Sequence, residues 1–202
     1  MLVGILALQG CIEPHRPHLE ALRVDVRLIR QPKDIDGVDA FILPGGESTT
    51  ILTLLRRVGL WEPLASALQE KPAWGICAGA ILMAEQVLSP AQESFALFPC
   101  TIERNAYGRQ LASRRLKLNQ VDASNSLTHE EVSAIKSYDV YLIRAPKIRS
   151  VSSSARVLAC YQDEPIFCLY DKYMLTTFHP ELNPEAPSPI HRFFARWIQE
   201  RG

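Results

Sequence analysis

The sequence predicts an α/β fold of three layers, an open mixed, mostly parallel sheet with helices on both faces. Three features lead there. Short apolar runs recur without polar alternation, as strands buried on both faces do. Helical periodicity fills the gaps between the early runs, which suits parallel strands joined by crossovers. The late runs follow one another too closely for crossover helices, so that end of the sheet is expected to be antiparallel or mixed.

The first run, residues 2–8, follows Met1 with no basic leader and gives way at once to polar residues, so it reads as a strand and not a signal peptide. The next runs are 40–43 and 73–76. Between them Ile51, Leu54, Leu55 and Val58 recur at i, i+3, i+4 and i+7, with Ser48 placed to cap the helix and Gly59 to stop it. Residues 80–87 continue as an apolar helix. The polar stretch 123–137 reads as a surface excursion without a domain boundary. Strands return at 140–143, 157–161, 166–170 and 173–178. A last helix, with Ile190, Phe193, Phe194, Trp197 and Ile198 on one face, starts at Ser188-Pro189, an N-cap and a first-turn proline. No internal repeat or low-complexity segment is visible, and 202 residues suit a single domain over 1–202.

Composition excludes several function classes. Lys+Arg and Asp+Glu number 22 each, leaving no cationic surplus for nucleic acid or an anionic membrane. The five cysteines are scattered with no C-x-x-C pair, so neither a disulfide framework nor a zinc site is indicated, and a reducing compartment is expected. No apolar run reaches the roughly 18 residues a bilayer span needs. A cytoplasmic protein without metal or cofactor is predicted.

Three segments carry chemistry. Gly75-Ile76-Cys77-Ala78-Gly79 has the G-x-nucleophile-x-G pattern between a strand and an apolar stretch, where two glycines permit a sharp turn and a helix N-terminus favours thiolate. A buried, inert cysteine is the plainer alternative. In Phe178-His179-Pro180-Glu181 the proline biases His179 to extended backbone, and residues two apart then share a face, so Glu181 can orient the imidazole. The alternative is a loop histidine beside a solvated carboxylate. Leu43-Pro44-Gly45-Gly46-Glu47-Ser48-Thr49-Thr50 could offer backbone N–H groups as half of an oxyanion hole or a phosphate cradle. The Glu47 carboxylate opposes phosphate and suits an ammonium or amide donor, while a plain turn with Ser48 as N-cap remains the ordinary explanation. Leu8-Gln9-Gly10 should lie at the same sheet edge. Residues 104–110 and Ile143-Arg144-Ala145-Pro146 supply arginines able to clamp a carboxylate, although most arginines are surface groups.

Together these segments resemble the class I glutamine amidotransferases, whose triad is Cys, His and Glu in that order and whose fold is flavodoxin-like. Pro-Gly-Gly-Glu-Ser-Thr, Glu-Arg-Asn with Gly-Arg-Gln, and Ile-Arg-Ala-Pro narrow the resemblance to the glutaminase subunits of pyridoxal 5'-phosphate synthases. The resemblance implies Cys77 as nucleophile on the glutamine carboxamide, His179 as base and Glu181 as its orienter. It implies Gly46 and Ala78 as oxyanion donors, with Gln9 and Gly10 setting the loop. It places L-glutamine against Gly46, Glu47, Ser48, Arg109, Ile143 and Arg144, and it implies a hetero-oligomer in which ammonia passes unprotonated to a synthase partner. Weak activity alone is expected, with docking switching it on through the Gly45-Gly46 loop.

Two departures stand out: Cys11-Ile12-Glu13-Pro14-His15 puts proline where the family carries an acid, and residues 111–117 are unusually basic. Other readings are a glutaminase serving another amidotransferase, such as imidazole glycerol phosphate synthase, a catalytically silent binding subunit, and a cysteine-based stress protein.

Overall fold

The computed structural model describes residues 1–106, 114–118, 120–122 and 126–200. Along the chain come β1 (Leu2–Leu6), α1 (His15–Glu20), β2 (Asp25–Ile29), β3 (Ala40–Leu43), α2 (Ser48–Arg57), α3 (Trp61–Glu70), β4 (Ala73–Ile76), α4 (Ala78–Met83) and β5 (Ala84–Leu88). There follow β6 (Phe98–Glu103), β7 (Arg114–Lys117), β8 (Gln120–Val121), α5 (His129–Ser137), β9 (Asp139–Leu142), β10 (Lys147–Val151), β11 (Arg156–Tyr161), β12 (Glu164–Tyr170), β13 (Tyr173–Thr176) and α6 (Pro189–Gln199).

The central sheet runs β2-β1-β3-β4-β13-β12-β11-β8. It is parallel from β2 to β13 and antiparallel from β13 to β8. The mostly parallel sheet with an antiparallel end is therefore as the sequence predicts. In β3 and β4 every residue is buried, because alternate side chains enter two different cores. Ala40, Ile42, Trp74 and Ile76 pack with α1, α5 and α6 on one face. Phe41, Leu43 and Ala73 pack with α2, α3 and α4 on the other.

The α1, α5 and α6 side is closed by Ile190, Phe193, Phe194, Trp197 and Ile198, while Arg196 reaches the Glu131 carboxylate of α5 through two bonds of 2.7 and 2.9 Å. Ser188 caps α6 by accepting from the His191 N–H, with Pro189 in its first turn, as predicted. Gly59, at φ 68°, ends α2 as expected.

Four expectations need correction. Residues 80–87 are not one helix: α4 stops at Met83 and β5 follows, pairing with β6 in a small sheet β10-β6-β5. An apolar run of that length fits a helix or a buried strand equally, so periodicity could not separate them. The 123–137 stretch holds a helix over its described C-terminal part, α5, started by a reciprocal capping box between Thr128 and Glu131. The 140–143 run forms β9, which pairs with β7 in a separate antiparallel ribbon and does not join the central sheet. The cap of α2 is Glu47, whose carboxylate accepts the Thr50 N–H at 2.7 Å, rather than Ser48. No helix among the described residues is long and apolar enough to cross a membrane.

Candidate active site

The site forms where β3, β4 and β13 end on neighbouring paths of the sheet. Ile76, the last residue of β4, is in register with Thr176, the last of β13. The chain therefore leaves both strands side by side, one into Cys77 and the other into the segment carrying His179. The Cys77 N–H still donates to the Thr176 carbonyl at 2.8 Å, and Cys77 has φ 49° before α4 begins at Ala78. This is the strained strand-to-helix turn that lifts a side chain off the sheet edge. The thiol sits at the N-terminus of α4, in the field of its first N–H groups.

His179 is fixed from several directions. Its N–H donates to the Tyr141 carbonyl at 2.8 Å, tying it to the β7–β9 ribbon. Its Nδ1 lies 2.6 Å from Glu181 Oε1, and both side chains are buried. The expected contact between His179 and Glu181 is present, although Pro180–Leu182 forms a 3-10 turn and not the extended chain that the sequence suggests. Cys77 and Cys11 both lie beside His179. Burial works to lower the imidazole pKa, but the influence of Cys11 and Cys77 and the bond to Glu181 outweigh it and hold the pKa well above its ordinary value. Burial also works to raise the Glu181 pKa, yet the electrostatic influence of His15 and the bond to His179 keep it below the usual carboxylate range. The pair is thus held as imidazolium and carboxylate.

The glycine loop closes the other side. A Cβ on Gly45 would lie 2.1 Å from His179 Cε1, so only glycine lets the loop approach the ring. Gly10, at φ 115°, sits against the Gly45 carbonyl, which also accepts the Cys11 N–H at 2.8 Å. Gln9 Oε1 accepts the Glu47 N–H at 2.8 Å. Gln9 and Gly10 thus hold the 45–47 loop, as the sequence implies.

A cavity of about 520 Å³ gathers these groups; its lining includes Gln9, Gly10, Gly46, Glu47, Ser48, Cys77, Ala78, Ile143, Arg144 and His179. Of the expected site residues, Glu181 stands behind His179, and Arg109 lies outside the described residues. The Glu47 carboxylate is already engaged by Thr50, Thr49 and Arg104, at 2.7 to 3.2 Å. Although partial burial works to raise its pKa, the Thr50 and Thr49 donors lower it. The Ser48 hydroxyl donates to Gln92 Oε1 at 2.9 Å.

Sequence reasoning gave Cys11 no role in the site and offered Arg104 only among several arginines able to clamp a carboxylate. Cys11 follows Gln9-Gly10 directly, a visible signal once the loop's position is known. With His179 and Glu181 it forms a group whose donor atoms lie within 4.8 Å of one another. His179 Nδ1 in that group is already bonded to Glu181. Arg104, nearly buried, clamps Glu47 Oε1 at 3.2 Å and Thr49 Oγ1 at 2.8 Å, so it braces the loop.

A nucleophilic sulfur, an imidazolium held by a buried carboxylate, and a glycine loop around one pocket suit acyl transfer from an amide. Comparison with known proteins agrees. The model of the SNO glutamine amidotransferase family matches residues 5–200. Pyridoxal 5'-phosphate synthase subunit PdxT of Solibacter usitatus is 42% identical over 95% of this chain and 96% of its own length. PdxT of Deinococcus radiodurans is 38% identical over 100% and 99%. A crystal structure of a glutamine amidotransferase superposes with a TM-score of 0.83 at 33% identity, covering 98% of each chain. The structure of PurLQS from Thermotoga maritima, at 14% identity and a TM-score of 0.61, shares the fold.

Proposed function

The chain belongs to the SNO glutamine amidotransferase family, and from that premise we propose that it hydrolyses L-glutamine to L-glutamate and ammonia as the glutaminase subunit of a pyridoxal 5'-phosphate synthase. The observation that carries this reading is the line of Cys77, His179 and Glu181 beside the glycine-loop pocket. The near full-length likeness to PdxT subunits supports the choice of pathway. The whole chain acts as one glutaminase domain in the cytoplasm.

Cys77 Sγ adds to the carboxamide carbon of the glutamine side chain, and backbone N–H groups of Gly46 and Ala78 take the developing oxyanion. His179, as imidazolium, gives its proton to the departing nitrogen, and ammonia leaves a glutamyl thioester on Cys77. Water then attacks the thioester, yielding its proton to His179, and glutamate leaves with Cys77 Sγ and the His179 imidazolium back in their starting states. Glu181 keeps Nδ1–H turned inward throughout, so that Nε2 faces the sulfur and the substrate. Gly46, Glu47, Ser48, Ile143 and Arg144, with Arg109, hold the glutamine, and Gln9 and Gly10 brace the loop.

The partner is the synthase subunit, in a hetero-oligomer. Ammonia loose in water at neutral pH becomes ammonium and loses its nucleophilicity, so direct delivery between the two sites gives the subunit its purpose. The test is glutamate release from glutamine with and without the cognate synthase subunit. Release that rises on docking and vanishes in Cys77→Ala is expected; activity retained by Cys77→Ala would overturn the mechanism.

A further inference from the structure

Three histidines that the mechanism does not use cluster on the side of the sheet where His18 meets Glu181. His15 and His18 come from α1 and His191 from α6; they are 0%, 2% and 0% exposed, and none lines the pocket. Their rings form one assembly, with His18 stacked on His191 at 4.5 Å and His15 edge-on to Trp74 at 6.0 Å. Burial pushes the His15 pKa down to about 4 and the His191 pKa well below the ordinary value, and it lowers that of His18. All three are therefore neutral near pH 7, each with one donor and one acceptor nitrogen.

Fixed backbone donors assign the protons. The Ser188 N–H donates to His18 Nδ1 at 3.0 Å, so His18 carries its proton on Nε2, which lies 3.3 Å from the Glu181 carbonyl. His191 Nδ1 is 2.6 Å from Ser188 Oγ, and His191 Nε2 is 2.8 Å from His15 Nδ1. Two buried atoms are left over: His15 Nε2 and Glu181 Oε2 have no hydrogen-bond partner among the described residues. His15 and Glu181 nevertheless influence one another electrostatically. Facing an ionised carboxylate, a ring lone pair is repelled and an N–H attracted, so His15 Nε2 holds the proton. His15 Nδ1 then accepts from His191 Nε2–H, and His191 Nδ1 accepts from the Ser188 hydroxyl. Every donor from Ser188 through His191 to His15 points toward Glu181.

We propose that His15 is a positioning residue for the glutaminase reaction: backed by His191 and Ser188, it aims its Nε2–H at Glu181 Oε2 and fixes the carboxylate whose other oxygen orients His179. A small turn of the ring or one bridging water closes the contact. His18 secures the same residue from its carbonyl. With that contact closed, both carboxylate oxygens are occupied, which stops Glu181 rotating away from the imidazole during turnover. The proposal rests on the glutaminase reading above.

The test uses His15→Phe, which keeps a ring against Trp74 and removes both nitrogens, and His15→Gln, whose amide restores one acceptor and one donor. In the complex with the synthase subunit, His15→Phe is expected to lose about tenfold in kcat, the scale of one hydrogen bond to a charged group, with KM for glutamine held within about twofold. His15→Gln is expected to return kcat to within about threefold of the parent. In parallel, the low-field proton resonance of His179 Nδ1–H should survive in His15→Gln and shift or vanish in His15→Phe. Parent-like kcat in His15→Phe, or equal loss in both variants, overturns the proposal and leaves the glutaminase reading standing. If the parent complex releases no glutamate, the glutaminase reading falls. The proton resonance then decides the positioning contact alone: unchanged in His15→Phe, it overturns the contact, and lost there but kept in His15→Gln, it upholds it.

Discussion

Gly45→Ala puts the geometry of the base under direct test. The added Cβ would stand 2.1 Å from His179 Cε1, against the roughly 3.5 Å at which carbons rest, so the ring or the loop must give way by about 1.4 Å. The ring has little room to move: its Nδ1 is bonded to Glu181 at 2.6 Å, and its backbone N–H is bonded to Tyr141. The loop is held as well, since the Gly45 carbonyl accepts from Cys11 and the neighbouring Glu47 N–H is bound to Gln9. Any relaxation therefore displaces His179 relative to Cys77 or opens the glycine loop. A misplacement of about 1 Å at a reacting group costs on the order of a hundredfold in rate, or about 2.7 kcal/mol in the barrier. Steady-state glutamate release by the complex should show kcat down by about that factor. Thermal unfolding and copurification with the synthase subunit report separately that the variant folds and docks. A Gly45→Ala complex that folds, docks and keeps kcat within about threefold would refute the claim that this contact sets the position of the base.

Two further outcomes follow from the same structure. Glu47→Ala removes the cap of α2 and the carboxylate that Arg104 grips, so thermal unfolding should show a loss of about 1 kcal/mol, within the usual range for an N-cap. Because the folded-state pKa of Glu47 is lowered, its contribution is present above the ordinary glutamate range and fades as pH falls through the lowered value; below that, parent and variant should melt alike. The buried histidines act at milder acidity. His15 and His191 bind protons more weakly folded than unfolded, so stability is full above the unfolded histidine pKa of about 6.5 and falls as pH drops toward 4. Calorimetry across that interval should show a falling melting temperature, and a flat profile would contradict the neutral, buried assignment.

Much of this was legible in the chain, and the failures have physical reasons. β3 and β4 match the predicted runs residue for residue because both faces of each are buried, which leaves no polar residue to blur the edges. The turn at Cys77 was legible because its flanking glycines and the strand before it are local features. α5 was hidden because Glu131, Val132 and Ile135 are its only buried residues, although the Thr128 to Glu131 capping box was there to be found. The small sheet of β5, β6 and β10 was unreadable because its strands are partly exposed and so carry no continuous apolar run, and its pairing to β10 is long-range. The site shows the same division. Cys77, His179 and Glu181 belong to short motifs, whereas Cys11 reaches His179 and His15 meets His191 only through the fold, contacts that no local pattern encodes.

The pairing of Ile76 with Thr176 has one more consequence. Because Cys77 directly follows Ile76 and His179 comes three residues after Thr176, the pairing of two adjacent strands brings sulfur and imidazole to the same end of the sheet. The intervening chain contributes the Tyr141 carbonyl, which accepts the His179 N–H. Segments between those two strands that do not reach the pocket can thus lengthen or be traded to meet new assembly mates, while Tyr141, Ile143 and Arg144 stay in place and the chemistry travels unchanged.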